Sequence, residues 1–207
     1  MAVVTISREL GSDGTQIAEA VAVALNAICI DKEVLAEMAR EVGLSVEEIV
    51  HAEERLRERS NLVSSEMKAL FANAQSRSTV DQTRYKQQMS AALHILADYG
   101  SVVFIGRGAQ LALRDRLDAL HVHLYAPVAV RAKRIQTRRS LPDLEAATRI
   151  VQHADEQRRQ WYRQIFQGAD WKKPDYYHLM IDTQRIKADL AVALIVQAAQ
   201  ASSAIPV

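Results

Sequence analysis

The sequence predicts an α/β fold, a three-layer sandwich in which about five mostly parallel strands are covered by helices on both faces, with an all-helical insertion between two strands. Three observations carry this. Apolar runs of strand length fall at residues 3–6, 28–30, 102–105 and 120–125, with a weaker run at 178–181. Helical pattern separates each run from the next and hairpin turn chemistry is scarce, which favours crossover connections and parallel pairing. From residue 60 to residue 99 there is neither Gly nor Pro and no strand signal, so that block reads as helix alone.

The first run turns through Gly11-Ser12-Asp13-Gly14 into a helix over 14–26 with Ile17, Val21 and Leu25 on one face. A buried strand feeding a Gly-containing turn and a helix N-terminus aims main-chain N–H groups at one anion. The regular phosphate-binding pattern places Lys and a hydroxyl directly after the last Gly; here Thr15 and Gln16 follow, and Asp13 adds a negative charge. After the second run, Asp31 caps a helix with apolar positions Val34, Leu35, Met38 and Val42, stopped by Gly43. Ser45-Val46-Glu47-Glu48 has the form of a capping box. Residues 60–99 then form two long helices broken near 73–79, giving a helical insertion over about 44–99 within a single 1–207 domain. Leu62, Met67, Leu70, Met89, Leu93 and Leu96 give that block apolar faces suited to a partner or a homodimer. Helices are expected at 127–139, with Pro127 in the first turn, at 144–166 and at 186–201, and a frayed tail at 201–207.

At 207 residues the chain can bury a sizeable core, and a formal net charge of +1 gives no general electrostatic reason to bind nucleic acid or a membrane. The single Cys29 excludes an internal disulfide, and its apolar surroundings predict a buried thiol in a reducing compartment. No run approaches a membrane span and the N-terminus lacks signal-peptide flanks, so a soluble cytoplasmic protein is expected.

Parallel sheets bind ligands at the carboxyl ends of their strands, and polar groups gather there. The first strand is followed by Ser7-Arg8 and the Gly turn, the second by Asp31-Lys32, the third by Gly106-Arg107-Gly108, and the fourth by Ala126-Pro127 leading to Arg131 and Arg134. Small residues on both sides of Arg107 let a ligand approach the backbone while the guanidinium contacts a phosphate or carboxylate. Arg131, Arg134 and Arg138 share one helix face, and Ser140-Leu141-Pro142 breaks the chain after them, as a mobile lid over about 131–158 requires. Asp155, Arg158 and Arg159 lie within one helical turn: either an internal ion pair forms, or Arg158 joins Arg131 on a transferring phosphoryl group. His121 and His123 fit in or beside the core, and Trp161, Tyr162, Trp171, Tyr176 and Tyr177 fit packing.

These residues resemble the cytidylate kinase-like family, a branch of the P-loop nucleoside monophosphate kinases. The likeness runs through Ile6-Ser7-Arg8-Glu9-Leu10-Gly11-Ser12 with Gly14 and Ile17, Asp31-Lys32-Glu33 with Leu35, and Gly106-Arg107-Gly108-Ala109. It continues through Tyr125-Ala126-Pro127 with Arg131, Asp155-x-x-Arg158 with Tyr162, Asp170-Trp171, and Tyr177 followed by Asp182-Thr183. The resemblance implies a P-loop NTPase-like sandwich and transfer of the ATP γ-phosphoryl group to a nucleoside monophosphate, CMP-like, or a similar small acceptor. It implies ATP and Mg²⁺, with small-molecule nucleotides as partners. Gly11, Ser12, Asp13, Gly14 and Thr15 would cradle the donor phosphates, with Ser12 or Thr15 as a magnesium-side hydroxyl and no further metal ligand assigned. Asp31 and Arg107 would orient the acceptor; Arg131, Arg134 and Arg158 would neutralise charge, with Asp155 aligning Arg158. The family's turn usually reads Gly-Ser-Gly-Gly and then a basic residue, so Asp13 and Thr15 depart from it. That departure supports a second reading, a catalytically weak nucleotide sensor of the same fold.

Overall fold

The fold, a computed structural model, is described for residues 1–31 and 79–202. The chain divides into two compact units, Met1–Ile30 with Gly100–Val207, and Asp31–Tyr99. Five strands, β1 (Val3–Arg8), β2 (Ile28–Ile30), β3 (Val102–Ile105), β4 (Ala119–Tyr125) and β5 (Leu179–Asp182), form one parallel sheet in the order β2-β3-β1-β4-β5. β1 therefore sits in the middle, pairing Val3 with Val102 on one side and with Ala119 on the other. Its carboxyl end lies where connections run to opposite halves of the sheet, the position at which such sheets open a ligand crevice.

The central strands read as apolar runs because both faces are covered. On one face Val4, Ile6, Val103, Ile105, Val122 and Leu124 meet Ile17, Val21 and Ala22 of α1 (Gly14–Ala24) and Ala191, Ile195 and Ala199 of the last helix (Ala188–Ser202). Cys29 is half-buried against this core rather than fully inside it. In the second unit, α2 (Thr79–Tyr99) buries Met89, Ala92, Leu93 and Leu96. Those three large residues are inside the molecule, so they do not offer the partner surface that their helical spacing suggested. The expected helices of residues 32–78, with Leu62, Met67 and Leu70, lie outside the described residues. So does the tail beyond Ser202, while residues 201 and 202 continue the last helix rather than fraying.

After β3 a short helix, α3 (Ala109–Ala112), follows Gly106, Arg107 and Gly108, three consecutive residues at positive φ. α4 (Val128–Arg139) and α5 (Leu144–Ile165) form an antiparallel pair held by Ala132, Ile135, Ala147 and Val151. Ser140, at φ 49°, stops α4 in a left-handed turn, and Asp143 starts α5 by accepting a hydrogen bond from the Ala146 amide at 2.6 Å. The last helix is α6 in this numbering. Among the described residues no helix is long and apolar enough to cross a membrane.

On the opposite face of the two central strands several positions are polar: Thr5 and His121 share a hydrogen bond of 2.8 Å, and Ser7 and His123 sit opposite each other in the register. Tyr162, Trp171 and Tyr177 surround this layer, with Gln110 donating to both tyrosine hydroxyls at 3.0 and 3.1 Å. His123 stacks on Tyr177 at 4.9 Å between ring centroids, and its Nδ1 has no hydrogen-bond partner among the described residues. Burial, reinforced by the positive charges of Lys172 and Arg158, lowers its pKa to about 3; burial, reinforced by His178, lowers that of His121 to about 4. In the unfolded chain both rings take up a proton near pH 6.5. The unfolded state thus binds more protons below that pH, and the stabilisation present above it is lost as pH falls toward 4 and 3. The melting temperature should drop between pH 6.5 and 5, and His123→Phe should shrink that drop; an unchanged acid limb in the variant would remove His123 as its source.

Candidate functional site

Between β1 and α1 the backbone makes a tight turn. The Glu9 amide donates to Leu124 O at 3.0 Å, and both the Ser12 amide (3.2 Å) and Ser12 Oγ (2.8 Å) donate to Glu9 O. Gly11 and Asp13 take left-handed conformations at φ 85° and 61°. Gly14 leaves no room for a side chain, since a Cβ there would lie 2.3 Å from Arg8 Cβ. The first amides of α1 open from this turn, and helix N-termini present N–H groups without intrahelical acceptors. Above them is a cleft of about 350 Å³ whose walls include Arg8, Gly11, Asp13, Thr15, Arg138 and Arg158. Thr15 is exposed at this cleft, whereas Ser12 is fully buried with its hydroxyl engaged. Of the two hydroxyls the sequence suggested for a metal, the fold therefore leaves Thr15 in reach of a ligand.

Beneath the turn lies a network of charge. Arg131 is 1% exposed; its Nε donates to Ala126 O at 2.8 Å and lies 3.0 Å from Glu9 Oε2. Its Nη1 donates to Leu10 O at 3.3 Å and Asp155 Oδ1 at 3.2 Å, and Nη2 donates to Asp155 Oδ2 at 2.9 Å. Lys172 Nζ closes the group, 2.5 Å from Glu9 Oε1 and 3.2 Å from Asp155 Oδ2. The sequence placed the Arg131 guanidinium on a transferring phosphoryl group. Its nitrogens are all engaged within the protein, Nε by Ala126 O and Glu9, Nη1 by Leu10 O and Asp155, and Nη2 by Asp155, which gives it the position of a support beneath the turn. Asp155, expected to align Arg158, makes its hydrogen bonds to Arg131 and Lys172.

Arg158 reaches the cleft. Its Nη1 donates to Arg8 O, and its guanidinium carbon lies 4.8 Å over the Trp171 ring. Burial pulls its pKa down from the usual guanidinium range, while Tyr162, Asp155 and Glu9 act in the opposite direction. Two carboxylates, Glu9 and Asp155, face three cations, Arg131, Lys172 and Arg158, so this network is positive on balance, and of its members Glu9 and Arg158 line the cleft. Arg134 is tied to the turn and to the residue that follows β5, donating to Gly11 O at 3.2 Å, Thr183 Oγ1 at 3.1 Å and Thr183 O at 2.8 Å. It also lies 3.2 Å from Asp13 Oδ2, and Arg138 pairs with Asp13 Oδ1.

The fold thus gathers Gly11, Ser12, Asp13, Gly14, Thr15, Arg131, Arg134, Asp155 and Arg158 around one turn. Arg107 lies apart from the cleft walls: it has φ 55° and its guanidinium carbon is 5.7 Å over the Trp161 ring. Asp31 begins the second unit and is half-buried. Three contributors escaped the assignment of roles from sequence. Arg8 and Glu9 sat inside the quoted motif; strand alternation puts Arg8 on the Val4 and Ile6 side, where α1 covers it. Lys172 had no signal beyond following Asp170-Trp171.

Magnesium sites on transferred phosphates need few protein ligands, since water and phosphate oxygens supply the rest. Thr15 at the cleft fits that requirement. Among the described residues no cluster of three His, Cys, Asp or Glu forms a metal cage.

Comparison with known proteins gives consistent findings. The sequence model of the cytidylate kinase-like family matches residues 3–185. A cytidylate kinase from Methanopyrus kandleri is 32% identical over 101 residues, 45% of this chain and 51% of that one, so the chain spans about half the length of this curated relative. An uncharacterized protein from Eubacterium ventriosum superposes with a TM-score of 0.69 at 18% identity, covering 97% of this chain and 99% of that one. A shikimate kinase from Bacteroides thetaiotaomicron superposes with a TM-score of 0.54 at 15% identity, covering 96% and 98%. At these identities the structures speak for the fold, a parallel five-stranded sheet of the P-loop kinase type. With the family match extending from β1 past β5, the chain belongs to the cytidylate kinase-like family.

Proposed function

We propose that this protein is a phosphotransferase that moves the γ-phosphoryl group of ATP to a nucleoside monophosphate of the CMP kind. The observation that carries the reading is the cleft in which the Gly11–Thr15 turn and the N-terminus of α1 face Arg138 and Arg158. Amides, a helix dipole and guanidinium groups converging on one cavity favour a polyphosphate. Family membership and the name of the Methanopyrus relative support a nucleotide acceptor.

In this reading an acceptor phosphate oxygen attacks the γ-phosphorus as its bond to the β–γ bridging oxygen breaks, and ADP leaves. Such transfer depends on positioning and charge neutralisation. Gly11, Asp13, Gly14 and Thr15 hold the donor phosphates through main-chain amides, and Arg158 carries the charge contact to the transferring group. Arg131, Arg134 and Asp155 act through the turn they hold. Arg107 and Asp31 are proposed for the acceptor, at the ends of β3 and β2. Bound magnesium would be held by Thr15 and the phosphates and would supply charge neutralisation.

A sensor that binds nucleotide without turnover is the second reading, favoured by the pairing of Asp13 with two arginines in a loop that lacks a basic residue. Incubation with magnesium and γ-labelled ATP across a panel of nucleoside monophosphates separates the two. Labelled diphosphate, most rapidly from CMP, is expected. Nucleotide binding with no labelled product from any acceptor would leave the sensor.

A further inference from the structure

Asp13 occupies the N-cap of α1, where an aspartate ordinarily accepts a hydrogen bond from the helix amides. Its side chain makes no such bond. The carboxylate turns instead to α4, lying 3.2 Å from Arg134 Nη1 and pairing with Arg138 Nη2. The two arginines are not equivalent. Arg134 is anchored independently by Gly11 O, Thr183 Oγ1 and Thr183 O. Arg138 lies in the last turn of α4, just before the left-handed Ser140, is 41% exposed, and lines the same cleft as Asp13. A carboxylate with two oxygens on two guanidinium groups has the negative charge and the acceptor geometry of a phosphate oxygen pair.

We infer that Asp13 is an internal stand-in for phosphate, which occupies Arg138 and must be displaced before a polyphosphate can use that guanidinium. This rests on reading the cleft as a phosphate site and names what sets its affinity. Binding breaks the Asp13–Arg138 pair and leaves the Asp13 carboxylate beside an anion of like charge, so both terms oppose the ligand. Arg134 stays in place, since its anchors do not involve the carboxylate. Asp13 thereby discriminates among anions: those bringing enough negative charge to outbid a carboxylate enter, while a single inorganic phosphate competes poorly.

The test is calorimetric titration of the full chain with sodium tripolyphosphate. Asp13→Asn keeps the side-chain size and tolerates a left-handed backbone, so it removes charge without straining φ. It should tighten binding about tenfold or more, because an ion pair at a partly buried site and a like-charge repulsion are both removed. Asp13→Gly should behave the same way, which guards against a folding defect peculiar to one variant. Arg138→Gln should weaken binding more in the Asp13→Asn background than in the native one, because only there is the guanidinium already released. Equal or weaker binding in both Asp13 variants, or no binding by any of the proteins, overturns the inference. The kinase reading is judged separately, by labelled product. Tightened binding without phosphoryl transfer keeps the stand-in and removes the kinase, and transfer with unaltered affinity does the reverse.

Discussion

Arg131→Ala is expected to destabilise the protein by about 3–5 kcal/mol, the usual result of removing one partner from a buried ion pair. Glu9 and Asp155 would be left with Lys172 as their directly paired cation and Arg158 as a more distant charge, and the carbonyls of Ala126 and Leu10 would lose their donor. For a chain of this size each kcal/mol corresponds to about 2–4 °C, so the melting temperature should fall by roughly 6–20 °C. Activity measured well below the new melting temperature should also drop, because the turn that Arg131 supports would relax. Arg131→Lys should recover part of the charge but little of the stability, since an ammonium cannot make the two parallel bonds to Asp155. A melting temperature within a degree of native would place Arg131 outside the framework and return it to the phosphate.

Arg158→Ala should show the opposite balance. Loss of one transition-state charge contact lowers kcat by about 100- to 1,000-fold in comparable sites. The stability cost should be smaller, about 1–2 kcal/mol, from the lost hydrogen bond to Arg8 O and the contact with Trp171. The ratio of the two effects is the diagnostic quantity, and steady-state kinetics beside thermal melting on the two variants measures it. If Arg158→Ala left kcat within twofold of native, the guanidinium would be a packing element on Trp171 and the cleft would owe its function to other groups.

Much of the fold was legible because central parallel strands are apolar on both faces. Residues 3–6 and 102–105 announce themselves by composition alone. Boundaries moved where the signal was weak: β1 runs on through Ser7 and Arg8, polar residues that still pair with His123 and Leu124. β5 is shifted by one residue relative to its apolar run. The turn at Gly11–Gly14 was readable from its glycines and its place after a strand. The roles of the charged residues were not, because residue type does not disclose burial. Arg131, Arg134 and Arg138 look alike on a helix, yet the first is enclosed, the second is tied to Thr183 just after β5, and the third faces the cleft. Partners of this kind are set by tertiary closeness, as with Glu9 and Lys172, which meet across 163 residues of chain. The reading of His121 and His123 as residues in or beside the core agrees with their burial, as does the burial of Tyr162, Trp171 and Tyr177, while Trp161 and Tyr176 are half-buried.

The central claim is that donor phosphates are held by main-chain amides at residues 11–15 with Arg158 and Arg138 completing the charge. Titration of ¹⁵N-labelled protein with magnesium and ATP tests it most directly. The account predicts that the largest amide shifts fall on Gly11, Asp13, Gly14 and Thr15, with the Nε signals of Arg138 and Arg158 moving at the same ligand concentration. Saturable ATP binding whose shifts leave these amides still and cluster elsewhere would contradict it.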